Sequence, residues 1–373
     1  MIYLDNAATT PMDSEVIAAM HEVMNTNYGN PSSVHWYGRK SRVLVEEARV
    51  EIASIVQAKP SEIYFTSSAT EAISTAIYGA VRDLGIRNII TSAIEHHAVL
   101  HTLDAVHRAY PIQVSFVRLD KNGLINFDHL QELLDDIEPA LVILMHANNE
   151  IGTLYPIARI AKLCKNYNSF YLTDTVQTMG KYAINFLEMG ADFATCSAHK
   201  FHGPKGSGFL YISDRVSIKP LIDGGGQERN LRSGTENVCG IAGMAKAFEV
   251  AYRDLEMNAN HIAGLKSLFV EKLQKAFPDI IFNAASHNSG LYNIIHVSFP
   301  NAYRNQMLLQ NLDIHGIATS GGSACASGTV ATSHVLSAIH AITEMPSVRF
   351  SLSKFNTLEE VDDTMRVLKK ILL

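Results

Sequence analysis

Lys200 sits in the stretch CSAHKFHGPKGSGFLYIS, two residues after Ala198 and just before a run carrying Gly203, Gly206 and Gly208. Such a lysine is either a solvated loop cation or, if the flanking apolar strands desolvate it, an amine of lowered pKa suited to imine formation with a carbonyl cofactor. Asp174 closes the apolar run FYLT, with Gln177 three residues on. That Asp is either a turn-former or a carboxylate placed to pair with a ligand cation. In FTSSATEAISTAIYGA, Ser68 and Glu71 stand at capping-box spacing. The segment reads as a well-capped helix, or as a helix start whose N–H groups and Thr70 hydroxyl hold a phosphate. His96 follows the run NIITS, and that position singles it out from sixteen histidines. Arg349, inside SVRFSL, is either an edge-strand surface residue or a planar fork for a substrate carboxylate. Cys325 lies in SGGSACASGTV, where a thiol is either inert packing or a nucleophile on a segment freed by Gly321, Gly322 and Gly328. His199 and His202 lack a third ligand nearby, so no metal site is read.

These side chains need elements to position them. β-rich runs recur at 63–66, 88–92, 113–117, 140–146, 169–174, 192–197 and 208–213, with helix-like stretches between most of them. That alternation predicts an α/β fold with a mostly parallel sheet and ligands beyond the carboxyl ends of its strands. From residue 238 a long helical pattern begins. It is followed by strands DIIF and YNIIHVSF, the Cys325 loop, helix SHVLSAIHAI, strand SVRFSL and a last helix. In that last helix Leu358, Val361, Met365, Leu368 and Leu372 mark one apolar face.

At 373 residues the chain exceeds what one core usually supports, so two domains are expected. The division is an N-terminal arm at 1–14, a large domain at 15–255 and a smaller α+β domain at 256–373 that carries the Cys325 loop. A net charge of −6 with 18% charged residues gives no basic field for nucleic acid. The longest apolar run, ALVILMHA, is too short to span a bilayer, and the N-terminus lacks signal-peptide character. A soluble cytoplasmic protein is expected. The four cysteines at 164, 196, 239 and 325 form no C-x-x-C pair and read as free thiols.

Taken in order, YLDNAATTP, GNPSSVHWYG, SSATE, EHHAV, NNEIG, DTVQ, SAHKFHGPKG, GGGQERNLRSGTEN, SGGSACASG and VRFSLS closely resemble the cysteine desulfurases of the NifS and IscS kind. These are fold-type I, class V aminotransferase-like enzymes that use pyridoxal 5'-phosphate. The resemblance implies a large domain built on a mostly parallel seven-stranded sheet. Lys200 then matches the lysine that bonds to the cofactor and shuttles protons, and Asp174 the carboxylate that keeps the pyridine nitrogen protonated. Gln177 matches the partner of the ring hydroxyl. His96 matches the residue that stacks on the ring and takes part in proton transfer, and it is the candidate for taking the Cys325 proton. Ala69, Thr70, Ser197 and His199 match phosphate contacts, with Thr235 reaching in from the second subunit of a homodimer. Asn149 and Arg349 match the clamp on the α-carboxylate of L-cysteine. Cys325 matches the nucleophile whose thiolate takes the sulfur as a persulfide and passes it to an acceptor protein, for iron-sulfur cluster assembly or tRNA thiolation. A selenocysteine lyase or another class V aminotransferase is the alternative.

The sequence departs from the usual pattern at Thr175, where the family has Ala beneath the ring, and at Ser353, Lys354, Ala331 and Thr332. The chain ends at KKILL, where IscS-type enzymes continue with a tail that helps dock the scaffold.

Overall fold

A computed structural model describes residues 1–136, 139–284, 286–300, 307–321, 333–341 and 345–373. Cys325 and the segment 322–332 around it lie outside the described residues. The strands are β1 (Ile2–Tyr3), β2 (Ile63–Thr66), β3 (Asn88–Thr91), β4 (Gln113–Phe116), β5 (Ala140–Ile143), β6 (Phe170–Asp174), β7 (Phe193–Ser197), β8 (Gly208–Ile212), β9 (Ile281–Phe282), β10 (Ile294–Ser298), β11 (Ile317–Ala318) and β12 (Ser347–Ser351).

Seven of them form one sheet in the order β2-β8-β7-β6-β5-β3-β4. β3 through β7 run parallel, and β8 alone is antiparallel to both its neighbours. β5, β7 and β8 are buried along their whole length, which matches their continuous apolar sequences, since strands covered on both faces have no polar side to show. One face packs against the helices Ala69–Arg82 and His97–Ala109 through Ile73, Ile77, Val99 and Leu103. The other packs against Trp36–Ile55 and Val238–Arg253 through Val45, Ile52, Met244 and Phe248. Strand order reverses at β5, with β6 and β7 on one side and β3 and β4 on the other, so the loops after β3 and β5 border the crevice where α/β sheets bind ligands.

A separate core joins β9, β10 and β12 to the helices Leu255–Ala276 and Leu358–Leu372. The last helix starts in a capping box of Thr357 and Glu360 and buries Val361, Met365, Leu368 and Leu372. Each buried side chain of that kind contributes about 1.5–3 kcal/mol. Leu358, expected on that apolar face, is instead exposed, because it occupies the first helical position beyond the packed turns.

The long helical pattern after residue 238 divides at Asp254 into two helices, Val238–Arg253 and Leu255–Ala276. The helix expected over 333–342 is shorter, His334–Ala338, and His340 adopts a left-handed φ of 54°. The N-terminal arm links the two regions. Leu4 is buried in the second core, and its backbone bonds to Ala318 and Ser351, after which the chain runs on to the sheet's carboxyl edge.

Candidate active site

Parallel strands bring their carboxyl ends to one edge, and the expected residues gather there. Ala69, Thr70, His96, Asn149, Asp174, Gln177, Ser197, His199, Lys200 and Arg349 line one cavity of about 270 Å³. Thr235 does not line it in this single chain. It is exposed and borders a neighbouring cavity of about 140 Å³ with Ser67, Arg232 and Asn237.

Lys200 ends a short 3-10 turn that continues β7. Its Nζ donates to the carbonyls of Ala7 and Ala8, each at 2.7 Å, so backbone oxygens of the arm hold the amine at the cavity wall. The arm is pinned beside it: Thr10 N and Oγ1 both donate to His199 O at 2.9 Å, and His202 N donates to Thr10 Oγ1 at 2.8 Å. Behind it, Lys181 Nζ donates to Lys200 O at 3.0 Å. Burial and the Lys200 charge push Lys181 down to about 7. Burial and nearby lysines likewise take His199 down to about 4, so its imidazole is neutral and fixed against Thr9 Oγ1 at 3.1 Å.

Asp174 ends β6, 9% exposed, and one of its oxygens accepts from Val176 N at 2.9 Å. Thr175 donates its hydroxyl to Thr195 O at 2.6 Å and is absent from the cavity lining. The hydroxyl is therefore committed to the backbone. Gln177 anchors Nε2 on Ala7 O at 3.0 Å, leaving a buried Oε1 without a partner.

The helix Ala69–Arg82 points its N-terminus at the cavity, with Ser68 Oγ accepting from Glu71 N at 3.3 Å. The expected capping box is half realised: the Glu71 carboxylate accepts from Ser67 N at 3.0 Å and binds Arg232, tying the helix start to the Arg232–Thr235 segment. Gly208 makes this approach possible. It lies opposite both Thr66 and Ser197, and a Cβ there would sit 2.3 Å from Cys196 O and 3.3 Å from the Ser68 backbone.

His96 caps the helix His97–Ala109, its Nδ1 accepting from Ala98 N at 3.1 Å. Burial lowers its pKa, so the ring is neutral with its proton on Nε2. In this arrangement His96 is a donor into the cavity, and accepting a thiol proton requires Nδ1 to release Ala98 N.

Arg349 is 1% exposed on β12. Its Nη2 donates to Asp5 Oδ1 at 2.8 Å and its Nη1 to Asn149 O at 2.9 Å, while its buried Nε has no acceptor. A planar cation with an unmet donor suits an incoming carboxylate.

Several participants carried no obvious sequence signal. Ala7 and Ala8 act through backbone carbonyls. Glu95, fully buried, accepts from Met145 N at 3.1 Å and Ser92 Oγ at 2.8 Å, and burial raises its pKa to about 8. Glu150 and His334 complete the wall. A buried acid beside His96 within EHHAV was the available hint for Glu95. Among the described residues, no group of three or more His, Cys, Asp or Glu side chains is placed to hold a metal ion, and no helix is long and apolar enough to cross a membrane.

The lining fits pyridoxal phosphate: an amine, a carboxylate one strand away, a helix N-terminus for phosphate, and an orphaned Gln177 Oε1 that a ring hydroxyl would satisfy. The family model described as "Aminotransferase class-V" matches residues 2–364. A cysteine desulfurase IscS of Dictyoglomus turgidum is 42% identical over 376 residues, covering 100% of this chain and 94% of the relative. A solved NifS-like protein superposes with a TM-score of 0.90 at 37% identity, covering 99% of this chain and 98% of that one. A structure of SspA in complex with cysteine does so with a TM-score of 0.83 at 32% identity, covering 96% and 100%. The chain belongs to the class-V aminotransferase family, among its pyridoxal phosphate-dependent cysteine desulfurases.

Proposed function

We propose that the chain takes sulfur from L-cysteine, releases L-alanine, and holds the sulfur as a persulfide on Cys325 for delivery to an acceptor protein. The stoichiometry balances: the substrate C–S bond breaks, an S–S bond forms on Cys325, and the thiol protons pass to the alanine and the new persulfide. Bound pyridoxal phosphate supplies the electron sink that C–S cleavage needs. Lys200 holds that group and moves protons at Nζ. Asp174 keeps a cation paired at the ring nitrogen, and Gln177 holds the ring hydroxyl. Ala69, Thr70, Ser197 and His199 hold the phosphate, joined by Thr235 from the second subunit of a homodimer. Asn149 and Arg349 orient the substrate carboxylate, and His96 carries protons at the ring face.

The observation that carries this reading is the convergence of Lys200, Asp174, the Ser68-capped helix start and Arg349 on one cavity, from four separate segments. The division into an arm at 1–14, a large domain at 15–255 and a small domain at 256–373 is supported by the separate apolar core around β10 and β12. We take an iron-sulfur scaffold as the acceptor, which the IscS name of the relatives suggests, and the cytoplasm as the compartment. Borohydride reduction of the holoenzyme followed by peptide mapping tests the site. The reduced cofactor is expected on Lys200, and Lys200→Ala protein carries none. Label on Lys181 or another lysine in the wild-type protein contradicts the assignment.

A further inference from the structure

The two described residues that flank 321–332, Ser320 and Ser333, are both fastened to the carboxylate clamp. On one side Arg349 N donates to Ser320 O at 2.7 Å, so the strand that carries the clamp also holds this root. On the other, Ser333 Oγ donates to Glu150 Oε2, and Glu150 follows Asn149 directly. The same hydroxyl accepts from Leu336 N at 3.2 Å, capping the helix His334–Ala338. His334 Nε2 adds a bond to Glu95 O at 3.0 Å, and its ring lies 4.4 Å from that of His97.

Glu150 is itself held rigidly. It is 1% exposed, its backbone N donates to Asn148 Oδ1 at 2.8 Å, and Asn148 Nδ2 reaches Ile94 O at 2.9 Å, near His96. Burying a carboxylate is costly unless it serves a partner. Here the partner is the hydroxyl at the root of the segment that carries the nucleophile. Twelve residues, 321–332, separate the two roots. Cys325 stands eight residues before Ser333, so chain connectivity ties its reach to the position of that root.

We infer that Glu150 is a positioning residue for sulfur transfer: by fixing Ser333 it holds the carboxyl-side root of the Cys325 segment at the Asn149–Arg349 clamp. This rests on the proposed role of Cys325. The hydroxyl–carboxylate bond matters to the step in which Cys325 meets substrate sulfur, and not to the docking of cysteine in the cavity.

The test uses holoenzyme and two readouts, the change in cofactor absorbance on titration with L-cysteine and the single-turnover rate of persulfide formation on Cys325. Glu150→Ala and Ser333→Ala should each slow persulfide formation roughly tenfold, as expected for loss of one buried hydrogen bond, with cysteine affinity in Ser333→Ala within about twofold of wild type. Glu150→Gln, which keeps an acceptor oxygen, should recover much of the rate lost in Glu150→Ala. The double variant Glu150→Ala/Ser333→Ala should be no slower than either single one, because both remove the same bond. Wild-type rates in Ser333→Ala, additive losses in the double variant, or affinity losses equal to the rate losses overturn the inference. A Cys325→Ala control separates the two claims. Persulfide formed without Cys325 refutes the nucleophile assignment, whereas a silent control beside a full-rate Ser333→Ala refutes the role of Glu150 alone.

Discussion

Arg349 offers the sharpest quantitative test of how the cavity reads its substrate. The guanidinium is buried, held by Asp5 Oδ1 and Asn149 O, and leaves Nε with no acceptor. His296, its cross-strand neighbour on β10, is pushed down to about 3 by burial and the Arg349 charge, so it is neutral and cannot substitute as a cation. A substrate carboxylate would meet the fork through up to two charge-assisted bonds worth about 1.5–3 kcal/mol each. Because such bonds are not additive, roughly 10²- to 10³-fold in kcat/KM is the expected share. Arg349→Ala also leaves the part-buried Asp5 carboxylate unpaired, so a fall in activity alone is ambiguous. The decisive assay compares L-cysteine with cysteamine, which has the thiol and amine but no carboxylate. The wild-type enzyme should prefer L-cysteine by about 10²- to 10³-fold, and Arg349→Ala should abolish most of that preference, with Arg349→Lys intermediate because a point charge lacks the fork. Thermal melts on the same samples report any folding loss. If Arg349→Ala keeps the full preference for L-cysteine, the guanidinium does not read the carboxylate.

Two further predictions concern buried charge. Glu95 has a folded pKa of about 8 against an ordinary value near 4.3, so the folded state holds its proton more tightly than the unfolded chain. Stability from this group is therefore full below about pH 4 and is lost as pH rises toward about 8, by a few kcal/mol. Glu95→Gln should flatten Tm against pH across that window, and parallel profiles for the two proteins would show that Glu95 is not protonated at neutral pH. Arg49 and Glu228 form a bidentate pair at 2.8 Å, both deeply buried, and Glu228 also accepts from Phe65 N, anchoring the segment that leads to Thr235. Glu228→Gln leaves Arg49 only the exposed Glu46 carboxylate, at 3.1 Å, as a charged partner and should cost about 3 kcal/mol in denaturant unfolding, whereas replacing both partners with Met and Leu should cost far less. Equal losses for the two would contradict that account.

Much of this architecture was legible from hydrophobic pattern and residue position. The seven strands of the main sheet, the His96 position after β3, the Asp174 position at the end of β6 and the Lys200 turn after β7 all follow from runs that end in polar residues. What the pattern reports is burial, not pairing. The run ALVILMH stays buried to Met145, but β5 ends at Ile143, and beyond it Leu144 N and His146 N bond singly to Leu172 O and Asp174 O. Groups that act through the backbone left no trace at all: the carbonyls of Ala7 and Ala8 that hold Lys200 come from residues with no polar side chain. Glu95 and Glu150 were hidden for the opposite reason, since acidic residues are ordinarily exposed and only tertiary packing buried Glu95 against Met145 and placed Glu150 in the wall. The proposed Thr235 contact would come from a second subunit, which no single-chain geometry supplies.

The most direct test of the central claim is the intact mass of the holoenzyme after one turnover with L-cysteine in the absence of reductant, read together with released alanine. The account predicts one added sulfur atom mapped to Cys325 for each alanine formed, and a Cys325→Ala protein that keeps its yellow cofactor but gains no sulfur. Alanine and sulfide formation at the wild-type rate in Cys325→Ala would contradict it.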